Sequence, residues 1–199
     1  MARRVFFSFH YDDVSDFRAN VVRQHWLTKD DREDAGFFDA SIWESARRTG
    51  AEGIKRLINS ALEDTTVTAV LIGSATCSRR WVRYEIVKSM QRGNGLFGVH
   101  INGIRDKFQQ IRALGNNPFD YLGVGYNDNG TSLNLIEWAD GRWESYGDAN
   151  GYSLATQRPH DQWGKAYQLS HFYEVYDWIA GDGYNNFSKW VEKAAPQAQ

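Results

Sequence analysis

Cysteine is nearly absent from this 199-residue chain: Cys77 stands alone, so no internal disulfide can form, which fits a reducing compartment. No run approaches the ~20 apolar residues that a membrane-spanning helix needs. The opening Met1–Phe7 turns straight into a strand-type run, without the apolar stretch and cleavage site of a secretory signal. A soluble, cytoplasmic protein is expected. Neither sign of charge dominates: 23 basic residues face 25 acidic ones, for a net charge of −2. No basic tract points to nucleic acid or a membrane surface, and no acidic tail to disorder.

Familiar chemical motifs are missing too. There is no Walker loop, and Gly93-Asn94-Gly95 lacks the glycine spacing of a dinucleotide fingerprint. Without a Gly-x-Ser-x-Gly elbow, a Ser-His-Asp triad has no support. His10, His25, His100, His160 and His171 are scattered, and no His/Cys cluster has metal spacing, so no metal site is expected.

What is present is a core. Residues of hydrophobic type make up 42% of the chain, with eight tryptophans and ten tyrosines, enough for one substantial domain. Strand-type runs at Val5–Phe9, Gly36–Ala40, Val67–Ile72 and Leu96–Ile101 alternate with helical patterns. The first helical face is Val14, Phe17, Val21, Val22, Trp26 and Leu27; the next is Ile54, Leu57, Ile58, Ala61 and Leu62. A third is expected at Ile104, Phe108 and Ile111, while Lys29–Asp34 and Ser41–Gly53 read as loops. Four strand–helix alternations over residues 5–113 are the signature of a doubly wound parallel α/β sheet. Val67–Ile72 is apolar almost throughout, as for a strand buried on both faces.

The last third differs. Phe119–Leu122 is a candidate fifth strand. Leu133–Trp138, Asp140-Gly141 and Arg142–Tyr146 read as a β-hairpin with a tight turn. Phe172, Val175, Tyr176 and Ile179 read as a helix, and Phe187, Trp190 and Val191 as a short final one. No Pro- or Ser-rich linker intervenes, so residues 1–199 are taken as one domain with a core of about 1–125 and an extension of about 126–199.

The chain is organised around Ser78–Met90. Val82, Ile86 and Met90 form an apolar stripe, and Ser78 is the expected N-cap. Trp81 and Glu85, four apart, share a face. This sets an aromatic wall beside a carboxylate near a helix N-terminus, where the dipole and Arg79, Arg80 and Arg83 are expected to favour the ionised form. An anion beside an aromatic plane suits a cationic ring or a developing oxocarbenium ion. The commoner fate of such residues is plainer: a solvated glutamate and a core tryptophan. Open parallel sheets bind ligands at the carboxyl ends of their strands. That rule brings Ser8, Phe9, His10, Tyr11, Asp12, Asp13, Asp39, Ser41, Gly73 and Ser74 toward Glu85.

Val5–Asp13, a hydrophobic strand followed by serine, an aromatic and an acidic pair, resembles the first box of TIR domains. Trp81-Val82-Arg83-Tyr84-Glu85 resembles their tryptophan-x-x-x-glutamate motif. More closely, Phe38–Ser41, Ser78–Glu85, Asn117–Gly123, and Tyr176–Trp178 with Asp182–Asn185 are similar to the TIR-like proteins of the Thoeris anti-phage system. Two features depart from the wider pattern: His10 stands where many TIR domains have tyrosine, and the loop after the second strand lacks their proline-rich form.

The resemblance implies a flavodoxin-like fold, with a C-terminal β-hairpin and helical extension. It also implies cleavage of NAD at the nicotinamide–ribose bond and formation of a cyclic ADP-ribose isomer, read by a separate effector. A phage-derived activator is implied, NAD is substrate rather than cofactor, and no cofactor is expected. Glu85 is the expected catalytic residue; Ser8, Phe9, His10, Tyr11, Asp39 and Trp81 are the expected substrate contacts. Plain NAD hydrolysis and a non-catalytic scaffold acting by self-association, hence a homo-oligomer, are the alternatives. A receiver domain needs a phosphoacceptor aspartate where this chain has Gly73. A nucleoside deoxyribosyltransferase, which uses one glutamate in a similar sheet, is the nearer rival.

Overall fold

The structure is a computed structural model that describes residues 3–11, 13, 16–38 and 40–197. Five parallel strands form the main sheet in the order β10-β4-β3-β1-β2: β1 (Arg3–Ser8), β2 (Arg32–Ala35), β3 (Val67–Ile72), β4 (Gly95–His100) and β10 (Val175–Asp177). β3 lies at the centre and all six of its residues are buried, as its unbroken apolar run requires. On one face, Val5 and Phe7 of β1 pack against α1 (Arg18–Leu27) and α5 (Gly183–Ala194) through Val22, Trp26 and Phe187. On the other, Phe6 packs against α3 (Ala51–Ala61), and Val70 and Ile72 pack against α4 (Arg80–Gln91).

A second, antiparallel sheet leans on the far side of α4. It runs β7-β6-β5-β9, from β5 (Leu122–Tyr126), β6 (Ser132–Ala139), β7 (Arg142–Ser145) and β9 (Ala166–Gln168), with β8 (Tyr152–Ser153) also pairing β6. Leu122, Val124, Leu133 and Leu135 share a core with Val82, Ile86 and Val87. The expected hairpin forms: Asp140 and Gly141 both take positive φ, 49° and 78°, the geometry whose twist matches paired strands. α4 is therefore walled in by the main sheet, by α3 and by the second sheet.

Several expectations are corrected. The second strand is Arg32–Ala35, not Gly36–Ala40. Among the described residues this edge strand pairs with β1 alone, and its charged side chains discourage further pairing. Arg32 covers the Trp26 ring at 4.7 Å and Arg23 pairs with Asp34. Ser41–Gly53 holds not a loop but α2 (Ala40–Arg48) and the start of α3. Trp43 and Ala46, one turn apart, dock on the Phe6 cluster. Where the helices meet, a Cβ on Gly53 would stand 2.5 Å from Ala46 O.

Residues 104–111 form no helix. Asp106 Oδ1 takes the N–H groups of Phe108 and Gln110, an alternative to helical bonding, and Phe108 and Ile111 are exposed. Pro118–Asp120 is a 3₁₀ turn capped by Asn117, and the strand after it joins the antiparallel sheet. The fifth parallel strand is instead β10, drawn from the stretch expected to be helical; three residues of strand are too few for a period to register. Ser78 does not cap α4: its hydroxyl donates to Ala75 O at 3.0 Å, and Arg79 holds the N-cap position without a side-chain bond. Among the described residues no helix is long and apolar enough to cross a membrane.

Candidate active site

Strand alternation decides which β1 residues meet α4. Phe6 and Ser8 point to the α3/α4 face; Val5, Phe7 and then Phe9 point to the other. Ser8, fully buried, donates its hydroxyl to Glu85 Oε2 at 2.6 Å. Glu85 lies in the second turn of α4, 7% exposed, at the carboxyl end of the sheet. That is the crevice position expected for it.

Its ionisation differs from expectation. Burial raises the Glu85 pKa to about 8, with only the Ser8 hydrogen bond pulling it down. Two of the arginines that were to hold it ionised are turned elsewhere. Arg80 pairs with Asp148 at 2.6 Å, and Arg83 pairs with Glu137 at 2.7 Å while donating to Cys77 O. At positions 80 and 83 they lie on the flank of α4 that faces the second sheet, away from Glu85. Burial with this little polar support biases the carboxyl toward its neutral form.

The other expected contacts divide. Trp81 is half-buried on the Phe6 cluster, edge-on to Tyr84 and beneath the Arg80 guanidinium at 4.7 Å, so it belongs to the packing that holds α4 in place. Phe9 packs tilted on Phe37, ring centroids 4.3 Å apart, on the sheet face opposite Glu85. His10 is half-buried at the strand exit, and its carbonyl takes the Asp13 N–H. Tyr11 is exposed. Asp39 and Asp12 lie outside the described residues.

The structure adds groups that sequence reasoning passed over. A Cβ on Gly73 would stand 2.1 Å from Asp13 Oδ1, so the Asp13 carboxyl fills the space beyond the third strand. A receiver's phosphoacceptor has no room there. Gly115 closes over the same point, its absent Cβ 1.9 Å from Gly73 O. The loop carrying it is tied by Arg18, which is fully buried: Nε donates to Ile104 O and Nη2 to Gln110 O, both at 2.9 Å, beside Asp106 and Asp16. No signal in residues 102–117 announces this, because the bonds go to backbone carbonyls. The clefts of about 380, 440 and 350 Å³ lie elsewhere, and none of them is lined by Glu85.

A five-stranded parallel sheet flanked by helices, with a buried glutamate on the helix after its central strand, defines a flavodoxin-like domain of the TIR type. A family model described as "Thoeris protein ThsB, TIR-like domain" matches residues 6–106. The chain is also similar to a protein of Bacillus cereus (strain MSX-D12) that carries the name "Putative cyclic ADP-D-ribose synthase ThsB1". The two are 56% identical over 191 residues, which cover 96% of this chain and 100% of that protein. The chain belongs to the Thoeris ThsB TIR-like family.

Proposed function

We propose that this chain is a cytoplasmic enzyme of anti-phage defence that cleaves NAD at the nicotinamide–ribose bond and joins the ends into a cyclic ADP-ribose isomer. The observation that carries the reading is the buried Ser8–Glu85 pair at the mouth of the parallel sheet. The name of the Bacillus relative agrees with it.

The chemistry follows from charge. The nicotinamide ring of NAD is a cation and leaves with the electron pair of the C–N bond, so no proton donor is required. The demand falls on the ribose, whose C1′ becomes an oxocarbenium centre. A carboxyl held near neutrality by burial is poorly prepared for this until a cation arrives. An approaching pyridinium favours the ionised form of Glu85, which gives its proton to solvent water as the substrate enters and then faces the developing positive charge. The attacking hydroxyl of the adenosine ribose must shed a proton. A carboxylate with a raised pKa is a suitable acceptor for it. Ring closure in place of hydrolysis requires water to be kept out.

Glu85 is 7% exposed and lines none of the three clefts described, so binding a dinucleotide there calls for the site to open. Such a step gives a phage-derived activator, or self-association, something to act on. The product passes to a separate effector.

The test is full-length protein with NAD, with and without phage lysate, read by nicotinamide release and mass spectrometry. A cyclic product lost in Glu85→Gln upholds the reading. Linear ADP-ribose alone makes the protein a plain hydrolase. No nicotinamide under either condition leaves only a scaffold.

A further inference from the structure

The outer flank of α4, opposite Glu85, borders a cleft of about 380 Å³ between the helix N-terminus and the second sheet, lined by Ser78, Arg80, Arg83, Glu137, Tyr146 and Asp148 among others. We infer that this cleft is a second, oxyanion-binding site that takes the phosphate group of a small phosphorylated molecule, separate from the site of Glu85.

Three independent observations converge on it. The first is Tyr146, 5% exposed, whose hydroxyl is buried with no hydrogen-bond partner among the described residues. Asp148, Glu137 and Arg80 are its charged neighbours and, like Tyr146 itself, line the cleft, so the hydroxyl lies in the wall behind it. Burial and the two carboxylates push its pKa up, which fixes it as a donor. A buried donor left unpaired is costly, and a ligand oxygen would satisfy it.

The second is the state of the two guanidinium groups. Asp148 holds Arg80 through Nε and Nη2, and Glu137 and Trp138 O hold Arg83 through Nη1 while Cys77 O takes its Nε. Among the described residues these bonds leave Arg80 Nη1 and Arg83 Nη2 as spare donors on forks whose orientation is already fixed. Lys55 reaches Asp148 at 3.3 Å, so three cations meet two carboxylates at the cleft, with exposed Glu52 touching Lys55 from outside.

The third is α4 itself. Its twelve residues begin at Arg80, and Arg79 supplies no side-chain cap. The first-turn N–H groups and the positive end of the helix dipole are thus on offer beside the same arginines. Asp148 and Glu137 carry negative charge and would repel a free anion; they also select for one able to use all three donor sets together.

The probe is inorganic phosphate titrated into the full-length protein, read by the amide ¹⁵N shifts of residues 80–83 and the side-chain Nε of Arg80 and Arg83, with chloride at matched ionic strength as the control. Saturable shifts with phosphate but not chloride, weakened about tenfold in both Tyr146→Phe and Arg80→Gln, uphold the site. Equal shifts with chloride, an unchanged affinity in Tyr146→Phe, or no shifts at all overturn it. Adenosine 5′-monophosphate in a second arm separates sources: tighter binding than phosphate means the cleft also holds the organic part, and equal binding means it reads phosphate alone. Glu85→Gln should bind phosphate as the native protein does, so failure here and failure of the proposed enzyme activity are distinguishable.

Discussion

The hydroxyl of Ser8 and the carboxyl of Glu85 meet at 2.6 Å across the junction of β1 and α4, seventy-seven residues apart in the chain. Among the described residues, this contact is what opposes the desolvation of Glu85.

Glu85→Gln should abolish nicotinamide release while leaving the fold intact. It should also change how stability depends on pH. The folded-state pKa of Glu85 lies above its unfolded value, so its contribution is intact below about 4.5 and is lost as pH rises through about 8. The glutamine variant has no such loss. Urea unfolding across that range should show the variant gaining on the native protein by on the order of 4 kcal/mol at the alkaline end. Parallel curves would mean that Glu85 is not held neutral.

Ser8→Ala removes the hydrogen bond that favours the carboxylate. The Glu85 pKa should rise further. The acid limb of the kcat/KM profile should move to higher pH, with activity at pH 7 falling and partly returning in alkaline buffer. A limb that stays in place would take the Ser8 hydroxyl out of the ionisation that matters.

Trp81→Ala should cost stability as well as turnover. The ring is half-buried on the Phe6 cluster, edge-on to Tyr84, and its loss should lower the unfolding free energy by about 2 kcal/mol, less than for a fully buried tryptophan. An unmoved urea midpoint would return Trp81 to a purely ligand-facing role.

Arg18→Lys keeps the charge but not the fork that spans Ile104 O and Gln110 O. Stability should drop by about 3 kcal/mol. Amide exchange should accelerate in residues 104–112 before the rest of the molecule. Uniform protection would mean that the loop is held by something other than Arg18.

Much of this was readable beforehand. β3, α4, the 132–145 hairpin and the Glu85 position follow from period and turn chemistry, because long buried runs and tight turns carry local signals. The failures share a cause. Arg32–Ala35 and Val175–Asp177 are short edge strands whose identity comes from the strand each one pairs with, not from their own residues. Residues 104–111 carry a helical spacing that Asp106 overrides locally and Arg18 from afar. At the site, helical spacing sets Arg80 and Arg83 on the flank away from Glu85, but the carboxylates that hold them there, Asp148 and Glu137, lie 68 and 54 residues further along the chain and carry no local signal.

The lateness of β10 has a consequence for synthesis. β4 ends at His100, yet the strand that covers its open edge begins at Val175, and α5, which packs on that side, follows it. At a ribosomal pace of roughly 5–20 residues per second, the nascent chain carries a bare, largely apolar ladder for roughly 4–15 s before its own tail arrives to cover it. Slower translation through that interval would lengthen the exposure, and a holding chaperone would be of most use to this protein there.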